Sequence, residues 1–346
     1  MSDAADLLTA DDSPAGAFAL DLASVEVSAK TFLGLAQPSC LTDTLRLRLT
    51  DQCYLPKGQA PMQDWVARVA CPAFLAYRHA HPEAAAVLKR FCTIGTGAGL
   101  DALAAAEVLK PAVIAITDLH RAVVDQAMAN ILANLKRPDS VILRSGVGDL
   151  LTPFDGSGLR FDLIYENLPN IPLPADVSLD DGQASSSFIA PRGEAIPPLA
   201  RDYLLDLHIA FLLQARRCLS PGGAVLCSIG GRLPLRAMLR SFAAVDYRAE
   251  ILLYSWKIQS EAEEVIGGYA EAQTRGHGPF HFYLAEDLDA AFAGAAPIRS
   301  TREALALESA LASKRIDPAS ALKLHRAGRT IGHTAAVIEG RPAAVG

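Results

Sequence analysis

The segment FCTIGTGAGLDALAA, residues 91–105, places three glycines at alternate positions between an apolar run and a helix-like stretch. Gly95, Gly97 and Gly99 allow a sharp turn and let a ligand lie against the backbone, because no Cβ atom stands in the way. A dinucleotide-binding fingerprint would need its third glycine one position later, and a P-loop would need Gly-Lys-Ser/Thr, so neither motif is present. The spacing predicts a ligand-binding turn, to which Thr96 also belongs.

Two acidic residues follow at the ends of the next apolar runs. Asp118 comes at the end of the second run, where a carboxylate can accept hydrogen bonds from two ribose hydroxyls. Asp149 lies in a glycine loop after the third run, where it could accept from an adenine amino group. We predict an adenosyl cofactor, bound by the glycine turn together with Asp118, its neighbour Leu119, Asp149 and Asn167.

This arrangement resembles the class I S-adenosylmethionine-dependent methyltransferases over roughly residues 90–285, in the family's own order. Gly95, Gly97 and Gly99 match the first family motif, Asp118 the ribose-binding acid and Asp149 the adenine-side acid. The resemblance implies an α/β, Rossmann-like fold with a seven-stranded, mostly parallel sheet. It also implies S-adenosylmethionine as cofactor, S-adenosylhomocysteine as its product, and no metal. A nicotinamide-dependent Rossmann enzyme and an α/β domain that binds no cofactor are the alternatives.

The fourth apolar run ends in FDLIYENLPNIPLP, residues 161–174. Ligands of open α/β sheets bind at the carboxyl ends of the strands, so Tyr165, Glu166, Asn167 and Asn170 are expected to face the reactive end of the cofactor. We predict Tyr165, Glu166 and Asn167 as catalytic residues. The run also resembles the N-P-P-Y loop of methyltransferases that act on planar nitrogens, but it lacks the first proline and the tyrosine.

The chemistry of methyl transfer narrows the acceptor. A hydroxyl or ammonium acceptor needs a base, whereas a thioether has a free lone pair and yields a sulfonium cation. Glu166 and Tyr165 would favour such a cation, and the sequence shows no obligatory histidine base. We interpret His120 and His208 as ordinary surface or hydrogen-bonded histidines.

The glycine turn with DALAAAEVL, the ENLPNIP loop and the N-terminal segment look most like bacterial methionine S-methyltransferases, which make S-methylmethionine for dimethylsulfoniopropionate synthesis. That resemblance implies a small amino-acid acceptor. Its carboxylate needs a cationic or amide partner, and its ammonium needs an acid. The predicted substrate-binding residues are Tyr54, Asn167, Asn170, Arg192 and Arg201. The alternatives are a protein glutamine N5-methyltransferase, an N- or O-methyltransferase of a secondary metabolite, and a cofactor-binding protein without catalysis.

Three zones position these residues. Residues 1–89 contain helix-like stretches between prolines, such as 42–49 and 65–78, and predict a helical N-terminal cover. Residues 90–285 alternate apolar runs with helix-length segments, which predicts the parallel sheet, closed by a last strand at 279–284. Residues 286–346 predict C-terminal helices and a loose tail from residue 340. The loop 175–198 is too long for a routine connection and predicts a lid, a binding loop or disorder.

Composition excludes several classes of protein. The chain has 346 residues and a net charge of −6 with no long basic run, which argues against nucleic acid as a partner. No apolar run is long enough to span a membrane, and no secretory signal is evident. The six scattered cysteines are typical of reduced, buried thiols, so we expect a cytoplasmic protein. The apolar C-terminal helices would serve either a homo-oligomer interface or packing on their own domain.

Overall fold

The computed structural model describes residues 24–293 and 298–343. The strands are β1 (Ser24–Ser28), β2 (Thr44–Arg48), β3 (Arg90–Ile94), β4 (Val113–Asp118), β5 (Ile142–Val147), β6 (Phe161–Glu166), β7 (Ile171–Pro172), β8 (Phe188–Ile189), β9 (Leu219–Gly231), β10 (Tyr247–Ile258), β11 (Tyr283–Leu284) and β12 (Ile331–Pro342). The helices are α1 (Ala29–Leu33), α2 (Cys71–Ala80), α3 (Pro82–Val87), α4 (Leu100–Val108), α5 (Arg121–Asn134), α6 (Pro198–Asp202), α7 (Asp206–Cys218), α8 (Leu235–Ala243), α9 (Ala262–Thr274), α10 (Ala285–Phe292), α11 (Thr301–Ala310) and α12 (Pro318–Arg326).

The central sheet has the strand order β5-β4-β3-β6-β9-β12-β10, with β11 pairing on β12. Strands β3, β4, β5, β6 and β9 are parallel, and β12 is antiparallel to both of its long neighbours, β9 and β10. The chain thus runs outward from β3 to β5, returns to β6 on the other side of β3, and continues to β10. This confirms the predicted Rossmann-like class with a mostly parallel sheet. The reversal between β3 and β6 is the topological switch point at which such folds bind ligands.

Helices cover both faces of this sheet, as its continuous apolar strands require. On one face α2, α4 and α5 pack over Phe91, Ile114 and Ile116. On the other face α7, α8 and α9 enclose a second core. The predicted alternation of strands with helices is present from β3 to β10. Among the described residues, no helix combines the length and the apolar composition that crossing a membrane requires.

The N-terminal zone differs from the predicted helical cover. Within the stretch 42–49, which was predicted to be helical, Thr44–Arg48 form strand β2; it pairs antiparallel with β1 and buries the alternate side chains of Leu45 and Leu47. Two asparagines of α5 hold this strand: Asn134 accepts from the backbone N–H of Arg46, and Asn130 accepts from that of Arg48. The predicted 65–78 helix is present, beginning with a π-helical turn at Val66–Ala70 and continuing as α2. Residues 1–23 of the predicted cover lie outside the described residues.

The end of the sheet also differs from prediction. Residues 279–284 supply only the two-residue strand β11, and the strand that completes the sheet is β12, in the zone predicted to hold helices and a tail. β12 is inserted between β9 and β10, so residues 286–346 are not a separate appendage, and residues 340–342 belong to the sheet. The predicted helices of this zone are present, with Ser300 and Asp317 as N-caps that accept from Glu303 N–H and Ser320 N–H.

Candidate active site

A cleft of about 340 Å³ lies at the carboxyl ends of the parallel strands. The order of strands in the sheet fixes the order of the groups that line it. From one side to the other these are Asp149 after β5, Asp118 at the end of β4, Gly95 after β3, Asn167 after β6, Arg232 after β9 and Gln259 after β10. Two ends of the cleft can therefore be distinguished: one beside β4 and β5, and one beside β9 and β10.

The glycine turn between β3 and α4 has left-handed backbone at all three predicted glycines, with φ of 64°, 50° and 84° at Gly95, Gly97 and Gly99. Gly95, Thr96 and Gly97 line the cleft, as predicted for binding residues. Gly99 does not line it. A Cβ at Gly99 would lie 3.0 Å from Cγ1 of Ile131 and 3.2 Å from the carbonyl oxygen of Ala127, so this glycine lets the turn pack against α5.

Asp118 lies beside the turn at the end of β4, as predicted. Its carboxylate accepts from the backbone N–H of Gly97 at 3.3 Å and from that of His120 at 3.4 Å. Burial raises the pKa of Asp118, and these hydrogen bonds partly offset that effect. Leu119 also lines the cleft. The carboxylate is thus held toward the cleft while its remaining lone pairs can accept from a ligand.

Two threonine hydroxyls on the lining have no hydrogen-bond partner among the described residues. They belong to Thr96 in the turn and Thr117 at the end of β4, and both are buried. Buried hydroxyls in native proteins are normally satisfied, so unpaired ones beside a cleft suggest that a bound molecule completes their bonds. With the left-handed turn and Asp118, they fit the adenosyl and amino-acid parts of the expected cofactor.

Asp149 and Arg192 form a bidentate pair at the β5 end of the cleft, with N···O distances of 2.9 and 2.8 Å. Glu194 is a second partner of the same guanidinium. Both predicted residues line the cleft, and Arg192 lies at its β5 end, beside Asp149. The Arg192 side chain therefore connects the long loop 175–198 to the segment that follows β5. Residues of the same loop, including Phe188, form part of the lining.

The predicted catalytic residues separate into two groups. Asn167 lines the cleft, as does Tyr165, whose hydroxyl lies 3.0 Å from Oγ of Ser228. Glu166 does not line the cleft. It is fully buried, its Oε1 lies 2.8 Å from Nδ1 of His208, and its Oε2 accepts from the backbone N–H of Leu168. Glu166 cannot touch a ligand in this arrangement and instead positions the Asn167 loop, so the predicted direct role is wrong.

Of the other predicted substrate-binding residues, two line the cleft and one does not. Tyr54 lines the cleft, and its buried hydroxyl has no partner among the described residues. Asn170 lines it too, with its Oδ1 accepting from the hydroxyl of Tyr269 at 2.7 Å. Arg201 is exposed outside the cleft, where it pairs with Asp206 at 3.5 Å, so its predicted substrate contact is wrong.

An arginine that sequence reasoning missed lies at the β9 end of the cleft. Arg232 is only 5% exposed, and its guanidinium donates to Oε1 of Gln259 at 2.7 and 3.0 Å. It also lies 3.0 Å from Nε2 of His333 and 3.5 Å from the hydroxyl of Tyr269. The sequence signal was weak, because the partners come from three distant segments: Gln259 follows β10, Tyr269 lies in α9, and His333 lies in β12.

A second buried cation lies near Arg232. Lys257, at the end of β10, donates to the carbonyl of Ile258 and packs over the ring of Trp65 at 4.9 Å. Burial and the Arg232 charge lower the pKa of Lys257 to about 7. Burial and the same two cations hold the pKa of His333 well below its usual value.

Asp101, in the first turn of α4, is another lining residue that the sequence did not single out. Its carboxylate accepts from the hydroxyl of Thr93 at 2.7 Å. Burial raises the pKa of Asp101 to about 7, despite this bond and two from backbone N–H groups. A cationic ligand in the cleft would favour its charged form.

Comparison with known proteins places these findings in context. No protein-family model and no curated protein matches the chain. Among solved structures, a ribosomal protein L11 methylase from Lactobacillus delbrueckii subsp. bulgaricus is 18% identical, with 51% of this chain and 68% of that one covered and a TM-score of 0.33. The YcgJ protein from Bacillus subtilis is 13% identical over 74% and 92% of the two chains, with a TM-score of 0.36. A TrmK from M. capricolum, in complex with S-adenosylhomocysteine, is 9% identical over 52% and 62%, with a TM-score of 0.32. All three TM-scores are below 0.5, so these overlaps by themselves establish no property of this chain.

Proposed function

We propose that the protein is an S-adenosylmethionine-dependent methyltransferase of a small-molecule acceptor, with L-methionine as the first candidate and S-methylmethionine as its product. One observation carries the proposal: the carboxylate of Asp118 is held beside a left-handed glycine turn, with the unpaired buried hydroxyls of Thr96 and Thr117 on the same lining. A ribose and an amino-acid tail would satisfy these groups together.

When bound, S-adenosylmethionine supplies a methyl group on a sulfonium, which an acceptor displaces in line. The task of the protein is then to position the acceptor and to stabilise charge. Asn167 lies one strand from the glycine turn and on the cleft lining, where its amide can orient an acceptor. Glu166 and His208 hold the backbone of this loop from behind.

The lining is acidic, which favours an acceptor that develops positive charge. Among the described residues that line the cleft there is no histidine, whereas acids are present. They are Asp64, Asp101, Asp118, Asp149 and Glu261. A thioether acceptor requires no proton removal and develops positive charge, which nearby carboxylates stabilise. The acidic lining therefore supports S-methylation, whose product is a sulfonium cation.

A protein glutamine N5-methyltransferase is the second candidate, because residues 167–170 retain the asparagine and second proline of the N-P-P-Y loop. In this chain Oδ1 of Asn170 is occupied by Tyr269, and no tyrosine follows the proline to stack on a planar amide. These departures favour the small-molecule acceptor.

The test is a methyl-transfer assay with methyl-labelled S-adenosylmethionine, offered L-methionine or unmethylated release-factor protein, preceded by calorimetric titration of S-adenosylhomocysteine. Binding of S-adenosylhomocysteine and labelled S-methylmethionine would support the proposal. Label in the protein acceptor alone would favour the second candidate. A folded protein that binds neither S-adenosylmethionine nor S-adenosylhomocysteine would refute methyl transfer altogether.

A further inference from the structure

Arg232 is built into the cleft by its local backbone. It follows the end of β9, two strand spacings from the glycine turn after β3, or about 10 Å across the sheet. A Cβ at Gly230 would lie 2.0 Å from Nη1 of Arg232, so the glycine leaves the space that the guanidinium occupies. The side chain is buried yet lies on the cleft lining.

The partners of this guanidinium are all neutral. Gln259 Oε1 accepts from Nε and Nη2, His333 Nε2 lies 3.0 Å from Nη2, and the Tyr269 hydroxyl is 3.5 Å from Nη1. Nδ1 of His333 lies 2.7 Å from the carbonyl of Thr334, which assigns the proton to Nδ1 and makes Nε2 the acceptor. Four contacts serve five N–H groups, and the longest is on Nη1, so this nitrogen keeps donor capacity.

Neither buried cation at this end of the cleft has an acidic ion-pair partner among the described residues. Among residues 24–293 and 298–343, no carboxylate lies within 4.0 Å of the charged nitrogens of Arg232 or Lys257. The charges of Asp64 and Glu261 act on Lys257, but neither acid forms an ion pair with Arg232: Asp64 accepts from backbone N–H groups, and Glu261 pairs with Lys57. A buried arginine keeps its charge, and burying that charge without a counterion is unfavourable.

We propose that Arg232, oriented by Gln259 and His333, binds a carboxylate of the methyl acceptor. That the bound molecule is the methyl acceptor rests on the proposed function. The anion site itself follows from the arginine and its neutral partners. The remaining N–H on Nη1 can donate a charge-assisted hydrogen bond to one carboxylate oxygen, and the acceptor then extends along the sheet edge toward Asn167. The proposed class of acceptor is therefore a molecule that carries a carboxylate, such as an α-amino acid.

The test compares ligands first and variants second. Calorimetry on the full chain loaded with S-adenosylhomocysteine measures the affinity for L-methionine, L-glutamine and the α-amide of each. For the wild-type protein we expect the preferred amino acid to bind at least about 30-fold more tightly than its amide, since the amide leaves the buried charge unpaired. Arg232→Gln and Gly230→Ala should bring the two affinities to within about threefold. Arg201→Gln, an exposed arginine outside the cleft, is the matched control and should keep the full preference.

Each outcome decides the question. Equal binding of acid and amide to wild-type protein overturns the carboxylate site, whether or not the variants fold, and leaves the methyltransferase proposal standing if S-adenosylhomocysteine still binds. A tenfold or greater loss of S-adenosylhomocysteine affinity in Arg232→Gln, with thermal unfolding unchanged, would assign the arginine to the carboxylate of the cofactor and overturn the acceptor role. A preserved acid preference without any S-adenosylhomocysteine binding would keep the anion site and refute methyl transfer. Binding of neither ligand to folded protein overturns both.

Discussion

Oε1 of Glu166 lies 2.8 Å from Nδ1 of His208, and the two side chains are 0% and 1% exposed. The pair joins the end of β6 to helix α7 underneath the cleft. Because Oε2 of Glu166 also accepts from Leu168 N–H, the carboxylate connects α7 to the loop that carries Asn167. An acidic residue at a strand end is therefore a structural support, although its position alone suggested contact with substrate.

Breaking this pair should destabilise the fold. Glu166→Ala and His208→Ala should each lower the free energy of unfolding by about 2–4 kcal/mol, because each leaves a buried polar partner unsatisfied. Removing both should cost less than the sum of the two losses. Denaturant unfolding of both single variants and the double variant measures this. Additive losses would show that the two side chains act independently.

Removal of Asp118 should weaken cofactor binding. Asp118→Ala should reduce S-adenosylhomocysteine affinity by about 1–3 kcal/mol, because the ribose hydroxyls lose their acceptor. Calorimetric titration measures it, and Asp125→Ala, an exposed acid on α5, is the control. Equal affinities in wild-type protein and Asp118→Ala would contradict the ribose assignment.

Asn167 should affect turnover more than cofactor binding. Asn167→Ala should lower kcat on the order of 10²-fold, the scale for losing one oriented polar group in an active site. Affinity for S-adenosylhomocysteine should change by less than about threefold. Initial rates and calorimetry on the same preparation separate these effects. A loss confined to cofactor affinity would remove Asn167 from the acceptor side.

The raised pKa of Asp101, about 7, predicts a pH dependence that differs between the two forms of the cofactor. S-Adenosylmethionine carries a cation that favours the charged carboxylate, so its binding should release a proton and weaken as pH falls from about 8 to about 6. S-Adenosylhomocysteine has no sulfonium charge and should show a flatter profile. Asp118 and Tyr165 lie nearby with either ligand bound, so the difference between the two pH profiles reports the effect of the sulfonium charge.

The control for this pH effect is Asp101→Asn, which cannot titrate. In that variant the affinities of the two cofactor forms should follow the same pH profile. Identical profiles in the wild-type protein would show instead that Asp101 lies too far from the sulfonium to sense it.

Gly99 should be required for packing and not only for backbone freedom. Gly99→Ala should lower the free energy of unfolding by about 1–2 kcal/mol more than Gly156→Ala. Both glycines have left-handed φ, at 84° and 74°, but a Cβ at Gly156 meets no atom within 4 Å, whereas one at Gly99 meets Ile131 and Ala127. Equal losses in denaturant unfolding would reduce the Gly99 effect to backbone strain alone.

The sequence alone determined the elements whose signals are local. Strands β3, β4, β6 and β9 are apolar runs between helix-length segments. They could be predicted because strands that are buried on both faces have continuous apolar sequences. The glycine turn and Asp118 can also be predicted to lie close together. Each follows a strand end, and parallel strands bring their carboxyl ends to one edge. Their approach to each other needs no knowledge of distant contacts.

Tertiary structure alone decided the rest. Whether β12 extends the sheet depends on the space between β9 and β10, which residues more than 70 positions earlier create. Whether Glu166 faces ligand or core depends on His208, and whether Arg232 is paired depends on Gln259 and His333. The role of each of these side chains follows from its partners. The partners lie in distant segments of the chain, and no local sequence pattern identifies them.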